Sequence, residues 1–448
     1  MQGAVPDGCP DRLRSIPLGS ESVPALGAGR EEEAIALRIL VANKFWYRRA
    51  GLERVMFDEI AWLEAAGHEV AHFSATHPEN DASPWSDYFV PYLEIGVEST
   101  ITLREKATAT GRMFWSMDAA RRFARLLRDF RPDIVHVHGI HRQLSPSIAL
   151  EARRAHVPVV QSLHDYHPIC PADDLLLGGT RACDPPRCGR VNVLPCALYH
   201  CVQHSRMKSA LSASEFLWRR WIVRYETLVD AFVSPSHFLA RTVAQGGLRR
   251  RPMHVLPNAV PTRPSPADPA GDAFVYAGRL SREKGLATLL RATELAGVPL
   301  VVAGAGPLQE SLVSAAPPGV TFLGRIDGEA VDDLLARSRA AVVPSEWAEN
   351  APMAVLEPMV LGRPVIASRM GGIPEQVRDG REGILTQAGD AVELAAAMRV
   401  LADDPALANR LGDAARRRAT TLFGPTAHTE GLVRIYDDVL QQAARKAG

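Results

Sequence analysis

No stretch of this sequence approaches the roughly 18–20 consecutive apolar residues that a bilayer-spanning helix needs. The first thirty-odd residues carry Pro, Gly, Ser and charge but no apolar core of the secretory kind. The expected setting is therefore the cytoplasm, with residues 1–34 as a flexible tail. Net charge is missing as well. The 51 basic and 51 acidic residues cancel, which removes the general electrostatic pull that nucleic-acid binding draws on. Cysteine is scarce outside one window: five of the six lie between Cys170 and Cys201. In a reducing compartment such a cluster reads as metal ligands or free thiols ahead of disulfides. Asp-x-Asp does not occur, which leaves no obvious metal clamp for a diphosphate. No 20–50-residue period recurs, which argues against a solenoid.

What is present is an ordinary globular composition, 46% apolar and 23% charged, over 448 residues, enough for two domains. Ile35–Val41 reads as a buried strand, Leu52–Ala66 as a helix and His68–Phe73 as a second strand. Asp133–Val137, Val157–Gln161 and Asp230–Ser234 continue the alternation. Four prolines within 261–271 mark an interdomain linker. The pattern then restarts with Phe274–Ala277, Pro299–Ala303, Val320–Leu323, Ala340–Val343 and Pro364–Ala367. Alternating units of this kind predict an α/β protein of two doubly wound, Rossmann-like domains facing a central cleft. The first would span 35–260, with a cysteine-bearing insertion at 168–205, and the second 272–424. A final helix within 425–448 would pack back on the first domain. In such sheets ligands bind beyond the carboxyl ends of the strands, so the strand-ending motifs carry the functional information.

Three motifs end strands in the second half. Gly278 to Gly285 (GRLSREKG) offers Arg279, a planar fork for phosphate oxygens, and Lys284, a compact point charge. Together they suit a leaving diphosphate; a plain helix-capping loop with two solvated cations fits that motif equally well. Gly304-Ala305-Gly306 is a turn of a common type. Ser345 to Glu357 (SEWAENAPMAVLE) places Pro352 in a first helical turn, with Glu349 and Asn350 just before it and Glu357 inside the helix. Free amides at a helix start favour an anion. Two carboxylates there can each hold a pair of hydroxyls on a sugar or ribose.

Glu349 and Glu357, with seven residues between them, resemble the E-x7-E signature of the retaining glycosyltransferases of family 4, also called group 1. VLPNAV at 255–260, GRLSREKG at 278–285, GAGPL at 304–308, FLGRI at 322–326 and GGIPEQVRDGREGIL at 371–385 agree in order. The resemblance spans roughly residues 36–440. It implies the GT-B fold, a nucleotide-sugar donor with UDP or GDP as base carrier, and a hexosyl-type transfer. The acceptor would be a cell-envelope glycan, a lipid-linked saccharide or a secondary metabolite. It further implies that Arg279 and Lys284 bind the diphosphate and that Glu349 holds sugar hydroxyls. The amides of Asn350, Ala351, Pro352, Met353 and Ala354 would face sugar and phosphate, with Gly304 in the neighbouring loop. Glu357 would take the ribose, and Gly324 with Arg325 would lie along the base. Gly51 matches the family's Gly-Gly loop near the phosphate, with Ala50 replacing the first glycine. His164, in SLHDY after a strand, would sit near the reacting sugar; His138 is a second histidine of this kind. The family's same-face displacement needs no cofactor.

Other features leave choices open. Cys170, Cys183, Cys188 and Cys201 could hold a structural zinc, but the usual close Cys-x2-Cys pair is absent, and free thiols suit the spacing better. Arg104–Arg131, with eight basic residues, and Phe216–Tyr225 (FLWRRWIVRY) have the composition of interfacial helices. They suit either a peripheral contact with the inner face of a membrane or packed helices with solvated basic faces. Beside the transferase stand a sugar-phosphate synthase on the same scaffold and a non-catalytic sugar-nucleotide-binding partner.

Overall fold

The computed structural model describes residues 36–93, 103–183, 188, 192–264, 271–326 and 328–447. The expected tail at 1–34, most of the linker and part of the cysteine insertion lie outside them.

Two six-stranded sheets organise the chain. The first contains β1 (Arg38–Ala42), β2 (Glu69–Phe73), β3 (Ile134–Val137), β4 (Val159–Ser162), β5 (Ala231–Ser234) and β6 (Met253–Val255). Its spatial order is β6-β5-β4-β3-β1-β2 and every pairing is parallel. The second contains β7 (Phe274–Ala277), β8 (Leu300–Ala303), β9 (Val320–Gly324), β10 (Ala340–Val343), β11 (Val365–Ser368) and β12 (Gly383–Thr386). Its order is β9-β8-β7-β10-β11-β12, again parallel throughout. The central strands are apolar on both faces because helices cover both sides. Each sheet has a switch point where the strand order reverses, between β1 and β3 and between β7 and β10. A doubly wound sheet opens its ligand crevice at that place.

Five helices matter for the site. α1 (Gly51–Ala65) follows β1, and Glu53 reaches back to accept from the Ala50 amide at 3.2 Å, which fixes the helix start. α2 (Leu103–Phe114) and α3 (Met117–Phe130) divide the basic stretch seen in the sequence. Ser116 caps α3, and Phe123, Leu126 and Phe130 bury its inner face. Arg122 and Arg125 donate to backbone carbonyls at Asp87, Arg122 also to that of Phe89, so this face is a packed helix with engaged cations. α4 (Met353–Val360) follows β10. α5 (Pro425–Ala447) leaves the second domain and packs on the first, where Leu432, Ile435 and Tyr436 join Ile39, Met56 and Ile60 in one apolar cluster.

Strands β7 and β10 fall where the sequence places them; the others shift by a residue or a few. β6 and β12 were not anticipated. Both are edge strands of three and four residues, too short to show a period. One helix detail also differs from expectation. Pro352 is the residue before α4, with φ −69° and ψ 131°, and not in its first turn. Pro358 sits inside α4 without ending it; the helix runs on to Val360.

Candidate active site

The loops after β7 and β10 meet at the second switch point. Glu349 is buried, and its Oε1 accepts from Lys284 Nζ and from Ser345 Oγ, both at 2.6 Å. Lys284 ends a single 3-10 turn, Arg282–Lys284, and Gly285 follows with φ 70°. A β-carbon on Gly285 would come within 1.9 Å of the Pro344 carbonyl oxygen. The backbone of one loop thus rests on the other, and only glycine allows it. Gly304, with φ 140°, makes a similar approach to the Gly278 carbonyl. Glu357 is the fifth residue of α4 and pairs with the Arg54 guanidinium of α1. Burial pushes its carboxyl upward, and Arg54 opposes that shift.

The first domain holds the Glu349 loop at four points. Asn350 Nδ2 donates to the His164 carbonyl at 2.9 Å, and Tyr166 OH to the Ala348 carbonyl at 2.5 Å. Asn258 Nδ2 donates to the Ala351 carbonyl at 3.1 Å, and the Trp347 indole to the Asp174 carbonyl. These four bonds join both domains around one cleft of about 1660 Å³. Gly51, His164, Arg279, Lys284, Gly304, Arg325, Glu349 and Glu357 all line it, as do Asn350, Ala351, Pro352, Met353 and Ala354. Of the predicted donor-side residues, Gly324 alone is not in the lining; it ends β9 and hands the chain to Arg325. Pro352 has no N–H, so the amide donors of this stretch reduce to four residues. A β-carbon on Gly51 would meet nothing within 4 Å, so packing within the protein does not demand glycine there.

His164 faces His138, with Nε2 2.9 Å from His138 Nδ1. Burial, with the neighbouring His138 adding to it, holds His164 down to about 3. It is therefore neutral across the physiological range. Replacing it with Asn should leave both limbs of the kcat/KM pH profile between pH 5 and 8 in place while lowering the plateau. A limb that vanishes with His164 would show that it ionises in that window.

Sequence reasoning missed Arg54, Asn258 and Tyr166, whose roles come from contacts between domains. It also missed Glu59, His136, His428 and Tyr436, buried behind His164. Cys170, Cys183, Cys188, Cys196 and Cys201 are buried and form no disulfide. The Cys196 thiol hydrogen-bonds to Cys201 and holds it below the usual thiol range, while burial pushes Cys188 up to about 11. Among the described residues, the set of three His, Cys, Asp or Glu side chains with mutually close polar atoms is Glu59, His136 and His138; Cys170, Cys183, Cys188 and Cys201 form no such set. In the second basic stretch Arg219 is buried and donates to the His167 carbonyl at 2.8 Å, so it is not a surface cation. Trp221 and Ile222 beside it are exposed.

The model of "Glycosyltransferase Family 4" matches residues 49–263, and that of "Glycosyl transferases group 1" matches residues 263–418. The two join at Arg263 and together take in the second switch point and every strand of the first sheet except β1. The chain belongs to the family 4, group 1 glycosyltransferases. This glycosyltransferase is 29% identical over 427 residues to a glycogen synthase of Mycobacterium tuberculosis, covering 86% of this chain and 90% of that one. It is 32% identical over 226 residues to the lipopolysaccharide core biosynthesis glycosyltransferase LpsD of Rhizobium meliloti, covering 48% of this chain and 65% of that one. Its fold matches sucrose-phosphate synthase of Thermosynechococcus elongatus with TM-score 0.65 at 18% identity, over 91% of this chain and all of that one. It also matches Anabaena HepE in complex with UDP-glucose, with TM-score 0.59 at 17% identity, over 90% of this chain and all of that one. Two facing Rossmann-like domains are thus the GT-B fold, and the group 1 segment of this glycosyltransferase contains Arg279, Lys284, Glu349 and Glu357. Gly51 and His164 lie in its family 4 segment.

Proposed function

We propose that this enzyme transfers a hexosyl-type sugar from a UDP- or GDP-sugar to an acceptor hydroxyl, with retention of anomeric configuration and without a metal ion. The observation that carries this reading is the Lys284–Glu349 pair, set between two strand ends at the base of the cleft. The donor diphosphate lies over Lys284, Arg279 and the first amides of α4, whose charges and dipoles take up the negative charge of the leaving group. Glu349 holds hydroxyls of the sugar and Glu357 those of the ribose. The bond from the anomeric carbon to the diphosphate oxygen breaks, and the acceptor oxygen bonds on the same face. The acceptor proton goes to the departing phosphate oxygen. At 1660 Å³ the cleft exceeds the roughly 300–1,000 Å³ of a typical single-ligand pocket, which suits donor and acceptor together.

The acceptor we favour is lipid-linked or part of an envelope glycan, met at the inner face of a membrane. Trp218, Trp221 and Ile222 are exposed on one turn with Arg220 and Arg224 near them in sequence, a composition suited to an anionic interface. No helix among the described residues is long and apolar enough to cross a membrane.

The test is turnover of a panel of UDP- and GDP-hexoses with and without EDTA, with the product anomer read by NMR. Retention and indifference to EDTA are expected. An inverted product, or activity lost to EDTA and restored by a divalent cation, would contradict the proposal. In the same assay Glu357→Ala should raise the donor KM by about ten- to a hundredfold while kcat changes little, since a charged hydrogen bond to the ribose acts on ground and transition states alike.

A further inference from the structure

Behind His164 lies a chain of buried polar groups that the transfer as described leaves unused. His138 ends at the first switch point, and its Nδ1 meets His164 Nε2 at 2.9 Å. Its other nitrogen, Nε2, faces Oε1 of Glu59, a residue of α1, at 3.5 Å. Both of those atoms are buried and neither makes a hydrogen bond within the protein, so at 3.5 Å they face each other as an electrostatic contact. His136 Nδ1 lies nearer to Oε1, at 3.1 Å, and also lies 2.7 Å from the Tyr436 hydroxyl, while its Nε2 lies 2.8 Å from Ser162 Oγ. The second oxygen of Glu59 faces His428 Nε2 at 3.1 Å, and His428 Nδ1 lies 2.9 Å from the Pro257 carbonyl. Helix α5 thus closes the far side of the chain with His428 and Tyr436.

Counting protons along the chain gives it a direction. The surrounding imidazoles hold the Glu59 carboxyl well below its usual range against the cost of burial, so it is a carboxylate and accepts only. Burial lowers both His138 and His164, so each ring carries one N–H. A lone pair of His138 aimed at a buried carboxylate would be repelled, so the His138 proton sits on Nε2. Its Nδ1 is then an acceptor and takes the proton of His164 Nε2. What remains on His164 is a lone pair at Nδ1. That atom has no hydrogen-bond partner among the described residues, and the His164 side chain lines the cleft.

We propose that Glu59 is a positioning residue for the transfer: acting through His138 it fixes the tautomer of His164, which presents a hydrogen-bond acceptor to the cleft and so takes a sugar hydroxyl and turns away from phosphate oxygens. This rests on the transferase reading above. Glu59, His136 and His138 also bring their polar atoms within 4.8 Å of one another, a spacing that a cation could share. The tautomer separates the two occupants. A cation on His138 Nε2 would send that ring's proton to Nδ1, reverse the chain and make His164 a donor at Nδ1.

The test labels the full chain with 15N-histidine and reads the His164 ring by long-range proton–nitrogen correlation at pH 7, assigned by its loss in His164→Gln. The expected result is a proton on Nε2 and a bare Nδ1. In Glu59→Gln the amide can turn either end to His138, so the His164 tautomer should become mixed. Turnover of the best nucleotide sugar should fall about ten- to hundredfold in kcat, with donor KM within about twofold. A wild-type proton on Nδ1, a folded Glu59→Gln with the tautomer unchanged, or one equivalent of zinc in the purified protein would overturn the proposal. Should Glu59→Gln fail to fold, the wild-type spectrum and the metal content still decide it. The spectrum needs no turnover: an enzyme that transfers sugar with the other tautomer refutes the relay alone, whereas a protein with the expected tautomer and no transfer refutes the transferase reading.

Discussion

Lys284→Ala should lower turnover of the preferred nucleotide sugar by at least two to three orders of magnitude. Removing one preorganised donor from a developing anion costs about 2.7–4 kcal/mol, and a full cation at a diphosphate costs no less. The substitution also strips Glu349 of one of its two partners at 2.6 Å and leaves Ser345 Oγ alone on a buried carboxylate. Lys284→Arg should not rescue it, because a wide planar fork does not fit where a point charge meets a single oxygen. Lys284 is partly exposed, so the thermal midpoint should move by only a few degrees. Steady-state kinetics beside a melting curve separates the two effects. A Lys284→Ala enzyme within tenfold of wild type would remove Lys284 from the reaction.

Gly285→Ala is the largest expected effect on the fold. The residue sits at φ 70°, where a side chain costs roughly 1–3 kcal/mol, and its β-carbon would lie 1.9 Å from the Pro344 carbonyl oxygen. That oxygen belongs to the backbone and cannot swing aside as a long side chain would. The loops after β7 and β10 must separate, and with them Lys284 and Glu349. About 3 kcal/mol or more of stability should be lost, lowering the midpoint by roughly 6–12 °C for a domain of this size. Donor turnover should fall with it even at temperatures where the protein stays folded. Gly297→Ala makes a useful control. It has φ 67° at a helix end, yet nothing lies within 4 Å of a β-carbon, so it should show the backbone cost alone.

The contrast between what the sequence disclosed and what it hid follows from range. Phe274–Ala277 and Ala340–Val343 were readable residue for residue because each is a short apolar run bounded by polar turns. Lys284, Glu349 and Glu357 were readable because each lies in a motif a few residues from a strand end. Their placement around one cleft follows from the strand order. Arg54 on Glu357 joins residues 303 apart, and His428 on Glu59 joins residues 369 apart. No local pattern reports such pairs; they arise when α1 meets α4 and α5 returns to the first domain. The cysteines left two readings open for a related reason. Clustering in sequence left a shared ion and free thiols both open, with free thiols the better fit to the spacing; the insertion folds them into the apolar core, where burial keeps Cys170 and Cys188 protonated. The trio that does converge, Glu59, His136 and His138, comes from α1, from β3 and from the residue just after β3, and has no shared motif.

Isothermal titration of UDP and GDP into wild type, Glu357→Ala and Lys284→Ala tests the assignment of the cleft most directly. One of the two nucleotides should bind the wild type with one site per chain. Glu357→Ala should weaken it by about 2 kcal/mol through the ribose, and Lys284→Ala by a comparable amount through the diphosphate. The corresponding nucleoside, which lacks the diphosphate, should be sensitive to Glu357→Ala and indifferent to Lys284→Ala. A wild type that binds neither nucleotide, or two variants that bind as tightly as wild type, would contradict the placement of the donor between Lys284, Glu349 and Glu357.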